Sequence, residues 1–336
     1  MKIIIPMAGM GKRMRPHTLT VPKPLIKIAG KTIVNRLCED ISKVSGEQIE
    51  EIAFIIGDFG KEVEQELLTI ASNLGAKGSI YYQTEALGTA HAIYCAEKSL
   101  SGNVIVAFAD TLFKADFTLD KDIDSVIWVQ RVEDPSAFGV VKMDENKNIT
   151  DFVEKPKEFV SDLAIIGIYY FKDGDNLRNE LKHIIDNNLR ENGEFQLTNA
   201  LENMKNKGLV FKPGEVTEWM DCGNKNATVN TNQRVLEHNK DRNLVDASVK
   251  NINSVIIEPC FIGENVVLTN SIVGPHISLG AGSTISNSVI SNSIIQDNAC
   301  ISNTILDNSM LGCSTIVKKG KSELNLSDYS GVEYSI

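Results

Sequence analysis

A short repeat near the C-terminus constrains the fold of this chain more than any other feature of its sequence. Aliphatic residues recur there at intervals of five or six residues. The repeated positions are Ile262, Leu268, Val273, Leu279, Ile285, Ile290, Ile295, Ile301, Leu306, Leu311 and Val317. Such a period is too short for a repeat of helices and is typical of a parallel β-helix, whose aliphatic side chains point into the coil. The spacing therefore predicts a short left-handed parallel β-helix over residues 251–318, with about three turns.

Polar triplets with a central asparagine separate many of the aliphatic positions, at residues 269–271, 286–288, 291–293, 302–304 and 307–309. Asparagine tolerates the left-handed backbone conformation that tight corners need. Because a short coil has open ends, we expect this region to be an oligomerisation or regulatory platform and the protein to be a homo-oligomer. The polar stretch 228–250 is predicted to be a helical connector, and the charged segment 319–336 a loose tail or a cap.

The chain before residue 228 alternates strand and helix patterns. Strands are predicted over 2–6, 52–56, 79–83, 104–109, 125–131, 139–143 and 164–171, and helices over 33–42, 61–74, 89–99, 177–187 and 196–207. This order predicts an α/β domain over residues 1–227 with a doubly wound, mostly parallel, Rossmann-like sheet. Ligands of such sheets bind at the carboxyl ends of the strands.

Composition excludes several classes of function. The 336 residues carry a formal net charge of −10 and no basic tail, which argues against nucleic acid as a partner. No apolar run is long enough to span a bilayer, and the N-terminus lacks the apolar core of a signal peptide. The six cysteines form no C-x-x-C pair, so we expect free thiols in a reducing compartment and a cytoplasmic protein.

The first predicted strand runs into a glycine turn followed by basic residues. Gly9 and Gly11 flank the turn, and Arg13, Arg15 and Lys23 follow it. Glycines let backbone N–H groups approach an anion closely, and the basic side chains neutralise its charge, so the pattern favours a phosphate site. The turn could equally serve chain geometry alone. The third glycine of the dinucleotide-binding fingerprint is absent, because Met14 stands at its position, and the G-K-[ST] ending of a P-loop is absent too.

Seven short blocks stand out along residues 1–225. In chain order they are Gly9-Met-Gly11-Lys-Arg13-Met-Arg15-Pro16, Pro22-Lys23-Pro24-Leu25, Gln83-Thr-Glu-Ala-Leu-Gly88-Thr89-Ala-His91-Ala92, Ala109-Asp110, Phe138-Gly139-Val-Val141, Phe152-Val-Glu154-Lys155-Pro156 and Trp219-Met-Asp221-Cys-Gly223. Taken together, these blocks resemble those of the sugar-phosphate nucleotidyltransferases. The block Gly193-Glu194-Phe-Gln196-Leu-Thr198 is also similar, without a role that can be assigned from the sequence. Branches of this family carry a C-terminal left-handed β-helix.

The resemblance implies a reaction in which an oxygen of a sugar 1-phosphate attacks the α-phosphorus of a nucleoside triphosphate and pyrophosphate leaves. Charge neutralisation and in-line positioning provide most of the catalysis in such a transfer. The implied triphosphate site consists of Ala8, Gly9, Gly11 and Arg13. Lys23 is expected to bind the attacking phosphate or the α-phosphate. Arg13, Lys23 and Asp110 are thus the expected catalytic residues.

The remaining blocks imply a base pocket, a sugar pocket and a metal site. Gln83 and Gly88 are expected to read the nucleotide base, because an amide side chain can pair with a pyrimidine edge. Thr89 is expected to bind the nucleotide. Gly139, Glu154 and Lys155 are expected to bind the sugar and its phosphate. The expected cofactor is Mg²⁺, held by Asp110 and Asp221, since this ion takes one or two carboxylates together with phosphate oxygens.

Glucose 1-phosphate with dTTP or UTP is the substrate pair that these blocks favour. A mannose-1-phosphate guanylyltransferase and a non-catalytic regulatory subunit that binds a sugar nucleotide stay open as alternatives. Lys12 could contact phosphate or face solvent. His276 is the only histidine of the repeat, and it is a weak indication of the second, acyl-transferring activity that some relatives carry on a longer coil.

Overall fold

The computed structural model describes residues 1–115, 119–120 and 122–333. Two compact units emerge, one formed by Met1–Gly9 with Leu37–Trp219 and the other by Met10–Arg36 with Met220–Ile336. The segment Met10–Arg36 thus groups with the C-terminal region, whereas the sequence assigned it to the domain 1–227. Residues 334–336 of the predicted tail lie outside the described residues.

The first thirteen strands, numbered along the chain, are β1 Lys2–Pro6, β2 Lys27–Ile28, β3 Lys31–Thr32, β4 Glu51–Ile56, β5 Lys77–Tyr82, β6 Val104–Ala107, β7 Thr111–Lys114, β8 Ser125–Arg131, β9 Gly139–Met143, β10 Ile149–Glu154, β11 Leu163–Phe171, β12 Phe211–Glu215 and β13 Glu218–Asp221. The α-helices are α1 Ile33–Ser45, α2 Lys61–Asn73, α3 Thr89–Tyr94, α4 Gly174–Asp186, α5 Leu197–Asn206 and α6 Lys225–Glu237. None of the helices in the described ranges is long and apolar enough to cross a membrane.

The first unit is built on a sheet with the order β10-β9-β11-β6-β1-β4-β5, to which β8 and β12 are added through β11. Strand β1 pairs in parallel with β6 and β4, and β4 pairs in parallel with β5, which confirms the predicted Rossmann-like centre. The antiparallel pairings involve β11 with β6, β8 and β9, and β10 with β9. Buried residues of these strands and of α3, α4 and α5 form one apolar core.

Two strands of the nine-stranded sheet, β10 and β12, were not predicted from the sequence. Strand β12 contains Pro213 and Gly214, which both disfavour strands, and among the described strands it pairs only with β8, in parallel. Strand β10 alternates poorly, since Thr150 and Asp151 lie side by side before Phe152. Its pairing with β9 also shifts register between Ile149 and Asp151. Tertiary pairing therefore determines both strands more than local pattern does.

The second unit contains the coil. Its strands are β14 Lys250–Ile252, β15 Val255–Ile256, β16 Phe261–Ile262, β17 Val267–Thr269, β18 Ile272–Val273, β19 Ser278–Leu279, β20 Thr284–Ser286, β21 Val289–Ile290, β22 Ile294–Ile295, β23 Cys300–Leu306, β24 Met310–Leu311, β25 Ile316–Ser322, β26 Asn325–Leu326 and β27 Gly331–Glu333. They pair in parallel ladders along three faces, an arrangement consistent with the predicted left-handed β-helix. The aliphatic residues of the repeat are buried in the interior, as predicted.

The coil is longer than the sequence predicted. Partners are 17 residues apart at its start (Lys250 with Val267) and 15 residues apart at its end (Ile316 with Gly331). Along the face β14-β17-β20-β23-β25-β27 there are five steps from strand to strand, so the estimate of about three turns is wrong. The predicted end at residue 318 is also too early, because β25, β26 and β27 continue the ladders. These last turns were not predicted from the sequence, because their aliphatic repeat is irregular.

Asparagine forms the predicted corners. Asn270, Asn287 and Asn303 have φ values of 49°, 47° and 53°. Their side chains also stack along the coil, since the Asn270 amide donates to Asn287 Oδ1 at 3.3 Å and the Asn287 amide to Asn303 Oδ1 at 3.2 Å. The left-handed conformation and the amide ladder together explain why asparagine recurs at this position.

Candidate functional site

The residues of the first unit that are predicted to bind substrate lie at one edge of its sheet. Strands β1, β4, β5 and β6 are parallel, so their carboxyl ends meet at the same edge. Ala8 and Gly9 follow β1, Gln83 follows β5, and Asp110 follows β6 after two further residues. Asp110 is half-buried. This edge is where a doubly wound sheet binds its ligands.

The backbone at residue 88 passes so close to the backbone at Phe195 that only glycine fits there. It has a φ of +115°, and a Cβ placed on it would lie 2.4 Å from the Phe195 carbonyl oxygen. The Phe195 N–H donates to the Leu87 carbonyl at 2.8 Å, and the Ala90 N–H donates to the Phe195 carbonyl at 2.9 Å. The start of α3 is therefore joined to the segment before α5.

The Thr89 side chain reinforces this junction. Its hydroxyl accepts the Leu197 N–H at 2.9 Å and donates to Gln196 Oε1 at 3.3 Å. These bonds give Thr89 a structural role at the start of α5. The expected binding of the nucleotide by Thr89 stays a prediction.

The Gln83 side chain is oriented by two partners. Its NH₂ group lies 3.3 Å from the Gly88 carbonyl oxygen and 3.2 Å from His91 Nδ1. Burial lowers the pKa of His91, which favours the neutral ring that can accept this hydrogen bond. From the sequence alone, His91 is expected only to pack or cap on the helix after Gly88. Its place one helical turn after Gly88 could have suggested this contact.

Gly139 and Glu154 form a direct pair across β9 and β10. A Cβ on Gly139 would lie 3.1 Å from Glu154 Oε2, so glycine keeps space open beside the carboxylate. Lys155 has a φ of +43°, and its Nζ lies 3.6 Å from Glu154 Oε1. The three residues expected to bind the sugar phosphate are therefore adjacent.

Burial raises the pKa of Glu154, and Lys155 opposes this effect. The acidic side chains of Glu191 and Glu194 raise this pKa further. A half-buried carboxyl group next to a lysine suits hydrogen bonding to sugar hydroxyls, because the surroundings are partly shielded from water.

Two residues near this pair were missed from the sequence. Thr198 is buried, and within the described residues its hydroxyl has no hydrogen-bond partner. Its Cγ2 lies 3.8 Å from the Cβ position of Gly139. Tyr169 is buried too, and burial, followed by the charges of Glu154 and Asp110, raises its pKa. The block 193–198 was noted in the sequence, but a buried hydroxyl cannot be distinguished there from an ordinary helix start.

In the second unit, the residues that follow the glycine turn fold into successive short 3₁₀ turns at Lys12–Met14, His17–Leu19 and Lys23–Leu25. Gly11 has a φ of +56°, and its carbonyl accepts the Thr18 hydroxyl at 2.8 Å. A Cβ on Gly11 would lie 3.2 Å from Lys23 Cβ. The fold thus brings Gly11 and Lys23 together. Lys12 is exposed.

Arg13 and Asp221 meet at Gly223. A Cβ on Gly223 would lie 3.2 Å from Arg13 Nη2 and 2.9 Å from Asp221 Oδ1. The Gly223 N–H donates to Asp221 Oδ1 at 2.9 Å, and the Thr231 hydroxyl donates to the Asp221 carbonyl at 2.6 Å. Asp221 is therefore fixed beside the guanidinium group of the predicted phosphate-binding arginine.

Other candidate groups have structural partners. Within the described residues none of the six cysteines forms a disulfide, and three of them are buried. His276 Nε2 lies 2.6 Å from Glu237 Oε1, so this histidine contacts the end of α6. Within the described ranges, no three or more His, Cys, Asp or Glu side chains cluster so as to hold a metal ion. A divalent ion would depend on fewer protein carboxylates and on substrate oxygens.

Known proteins resemble this chain over most of its length. Residues 2–238 match the nucleotidyl transferase family. A glucose-1-phosphate thymidylyltransferase of Streptomyces antibioticus is 30% identical over 299 residues, which cover 86% of this chain and 80% of that protein. The bifunctional protein GlmU of Methanococcus aeolicus is 29% identical over 277 residues, which cover 81% of this chain and 60% of that protein.

A solved structure supports the fold. It is a UDP-glucose pyrophosphorylase in complex with UDP-glucose, with a TM-score of 0.58 and 22% identity, and the match covers 70% of this chain and 98% of that one. At this identity the likeness concerns the fold alone. The family match spans more than two thirds of the sequence. The chain therefore belongs to the nucleotidyl transferase family.

Proposed function

We propose that this protein is a magnesium-dependent nucleotidyltransferase that makes a nucleotide sugar from glucose 1-phosphate and either dTTP or UTP. The observation that carries the sugar-phosphate half of this proposal is the pair formed by Gly139 and Glu154, with Lys155 beside it. An open carboxylate next to an ammonium group matches a ligand that bears both hydroxyls and a phosphate. The thymidylyltransferase relative supports the choice of glucose 1-phosphate.

The reaction forms one P–O bond and breaks another. A phosphate oxygen of glucose 1-phosphate attacks the α-phosphorus, and the bond from the α-phosphorus to the bridging oxygen breaks, releasing pyrophosphate. Arg13 and the backbone after Gly9 and Gly11 neutralise and hold the triphosphate. Lys23 holds the phosphates that react. No protein nucleophile is needed, because positioning and charge neutralisation provide the rate enhancement.

Asp110 and Asp221 are the carboxylates proposed to hold Mg²⁺. Their donor chemistry fits this ion, which prefers carboxylate and phosphate oxygens. Asp221 is held in place by the Gly223 N–H and by Thr231, as a metal ligand requires. When bound, the ion would neutralise the charge that develops on the phosphate oxygens.

The proposed base pocket contains Gln83, Gly88 and Thr89. Because the Gln83 NH₂ group is directed to Gly88 and His91, its carbonyl oxygen is the group proposed to accept the N3–H of thymine or uracil. Guanine also presents an N–H donor on this edge. A mannose-1-phosphate guanylyltransferase is therefore the second candidate.

Thr198 supports a hydroxyl-bearing substrate at the sugar pocket. Its buried hydroxyl has no partner within the described residues, and leaving a buried hydroxyl unpaired costs about 1–3 kcal/mol. A sugar hydroxyl would supply the missing hydrogen bond.

The decisive experiment is a matrix of dTTP, UTP, GTP, ATP and CTP against glucose, mannose and N-acetylglucosamine 1-phosphates. Pyrophosphate release is measured with Mg²⁺ and with EDTA. We expect the highest kcat/KM for glucose 1-phosphate with dTTP or UTP, and no turnover in EDTA. A preference for GTP with mannose 1-phosphate would establish the second candidate. Binding of nucleotide sugar without turnover of any pair would indicate a regulatory subunit.

We also propose a cytoplasmic homo-oligomer. The coil presents an exposed aliphatic column, one residue per turn, at Val255, Ile272, Val289 and Ile305. A contiguous apolar column on a surface marks an interaction site. Light scattering should show a smaller particle for Ile272→Lys with Val289→Lys than for the unaltered protein, and an unchanged mass would argue against this interface.

A further inference from the structure

The segment Met10–Arg36 lies along one face of the coil in the second unit. We call the ladder β16-β19-β22-β24-β26, with the corners that follow its strands, the anchoring face. The segment carries Arg13 and Lys23, the residues proposed to bind phosphates. The contacts between the segment and the anchoring face therefore bear on how the residues proposed to bind phosphates are held.

The early turns of the anchoring face contact the end of the segment. Phe261 lies against Gly30, where its ring would be 2.3 Å from an added Cβ. The Ala29 N–H donates to Ser278 Oγ at 3.0 Å. One turn later, Lys27 Nζ lies 2.7 Å from Asp297 Oδ2. As the coil advances, its contacts move backwards along the segment.

The last turn of the coil contacts the part of the segment next to Arg13. The Asn325 amide donates to the Arg15 carbonyl at 3.4 Å, and Asn325 Oδ1 accepts a hydrogen bond from His17 Nε2. The Thr20 hydroxyl donates to Asp328 Oδ2 at 2.9 Å. His17 is only 5% exposed, so the hydrogen bond to Asn325 satisfies a ring nitrogen that water reaches poorly.

Arg13 itself shares a pocket with this last turn. The pocket is lined by Arg13, by residues 224–226 at the start of α6, and by residues 323–325 of the coil. Lys225 is paired with Glu323, and this pairing lowers the pKa of Glu323. Residues at the end of the coil therefore line the same pocket as the predicted phosphate-binding arginine. They lie about three hundred residues further along the chain, as the separation of 308 between His17 and Asn325 illustrates.

We infer that Asn325 and Asp328 are positioning residues for nucleotidyl transfer, holding the segment from Arg13 to Lys23 in the conformation that binds the triphosphate. The inference rests on the proposed function for its kinetic consequence. The β-helix then fixes the conformation of the segment proposed to bind phosphate, in addition to its expected role in oligomerisation or regulation. Directional hydrogen bonds suit this role, because they fix the orientation of the 3₁₀ turns, which an apolar contact would not.

The size of the effect follows from the geometry of phosphoryl transfer. A displacement of about 1 Å in a group that positions reacting atoms can cost on the order of a hundredfold in rate. Arg15, whose carbonyl Asn325 holds, is two residues from Arg13. Loss of Asn325 should therefore lower kcat more than it raises either KM, because the substrates still meet the same side chains.

The test compares Asn325→Leu, Asp328→Asn and the control Thr284→Val in the full-length protein. Thr284 is an exposed residue on another face of the coil. We expect Asn325→Leu to lower kcat about tenfold or more and Asp328→Asn to lower it less. Thr284→Val should leave kcat unchanged. The double variant His17→Ala with Asn325→Ala should lose little more than either single variant, because the two residues act as one unit.

Hydrogen exchange of the segment provides a readout that does not depend on activity. Amides of residues 11–25 should exchange faster in Asn325→Leu, and amides of β17 and β20 should not change. Unchanged exchange in the segment, or a kcat equal to that of Thr284→Val, would overturn the inference. If the unaltered protein turns over no substrate pair, the proposed function fails, and the exchange result alone then decides whether Asn325 positions the segment.

Discussion

The two units hold their predicted site residues in different ways. In the first unit, Gly139 and Glu154 are neighbours in a strand pairing, and Gly88 is enclosed by backbone hydrogen bonds. In the second unit, Arg13 and Lys23 lie in short 3₁₀ turns, and this part of the chain is held by side chains of the coil. The backbone thus builds the proposed base and sugar pockets, whereas side-chain contacts orient the residues proposed to bind phosphate. Substitutions in the sheet should alter substrate affinity, and substitutions along the coil should alter turnover.

The largest expected effect comes from a residue that acts on the chemistry directly. Asp110→Asn keeps the shape of the side chain and removes the charge proposed to hold Mg²⁺. We expect kcat to fall at least about a hundredfold, because a lost electrostatic partner of the transition state costs this much or more. The measurement is pyrophosphate release against Mg²⁺ concentration. Asp175→Asn, on the exposed surface of α4, is the control, and full activity of Asp110→Asn would refute the metal assignment.

Gly139→Ala tests the part of the comparison that concerns the sheet. The added methyl group would lie 3.1 Å from Glu154 Oε2 and would crowd the proposed sugar site. We expect the KM for the sugar 1-phosphate to rise roughly ten- to a hundredfold, with little change in the KM for the nucleotide.

The matched control is Gly331→Ala on the coil, where an added Cβ would make ordinary contacts of 3.6 and 3.9 Å. Equal increases in both KM values for Gly139→Ala would contradict a pocket that is specific for the sugar. A fall in kcat without any change in KM would contradict the division between sheet and coil.

A smaller effect is expected at His91, which orients Gln83 by a hydrogen bond of 3.2 Å. His91→Leu removes the acceptor, and the amide of Gln83 can then rotate. We expect the KM for the preferred nucleoside triphosphate to rise about two- to tenfold, the worth of one hydrogen bond. Discrimination between pyrimidine and purine triphosphates should weaken in parallel. His183→Leu, at an exposed position of α4, should change neither quantity, and unaltered nucleotide preference in His91→Leu would leave His91 without a role in orienting Gln83.

The success of sequence analysis differed between the two regions for physical reasons. The parallel centre of the sheet and the interior of the coil were predictable, because buried strands and repeated inward positions leave a periodic aliphatic pattern. Strand β12, with Pro213 and Gly214, carries no such pattern and exists because β8 offers a partner. The last turns of the coil were missed because their aliphatic repeat is irregular.

The contacts that orient the candidate site were harder to predict. His17 and Asn325 are 308 residues apart in sequence, and each alone is an ordinary polar residue. The Thr198 hydroxyl stands out only once its burial and its lack of a partner within the described residues are known. Motifs identify residues that touch substrate. They do not identify the residues that hold those residues in place, because such contacts depend on the fold as a whole.

The smallest expected effect is a pH dependence of stability that originates at His17, between the segment and the coil. Burial lowers the pKa of His17 from its ordinary value of 6.5, while the hydrogen bond to Asn325 and the charge of Asp328 oppose the shift. Below pH 6.5 the unfolded chain binds a proton at this residue before the folded protein does, so stability should fall as the pH decreases towards the folded pKa. His91 contributes in the same direction, because its pKa is also lowered by burial.

Thermal melts of the unaltered protein between pH 7.5 and 5.5 should therefore be compared with those of His17→Gln, which keeps an amide donor near Asn325 and cannot titrate. We expect the loss of Tm on acidification to be about 1–3 °C smaller in His17→Gln. Equal losses in both proteins would mean that burial does not keep His17 neutral. A smaller loss would show that the side-chain contacts of the second unit respond to protonation at this residue.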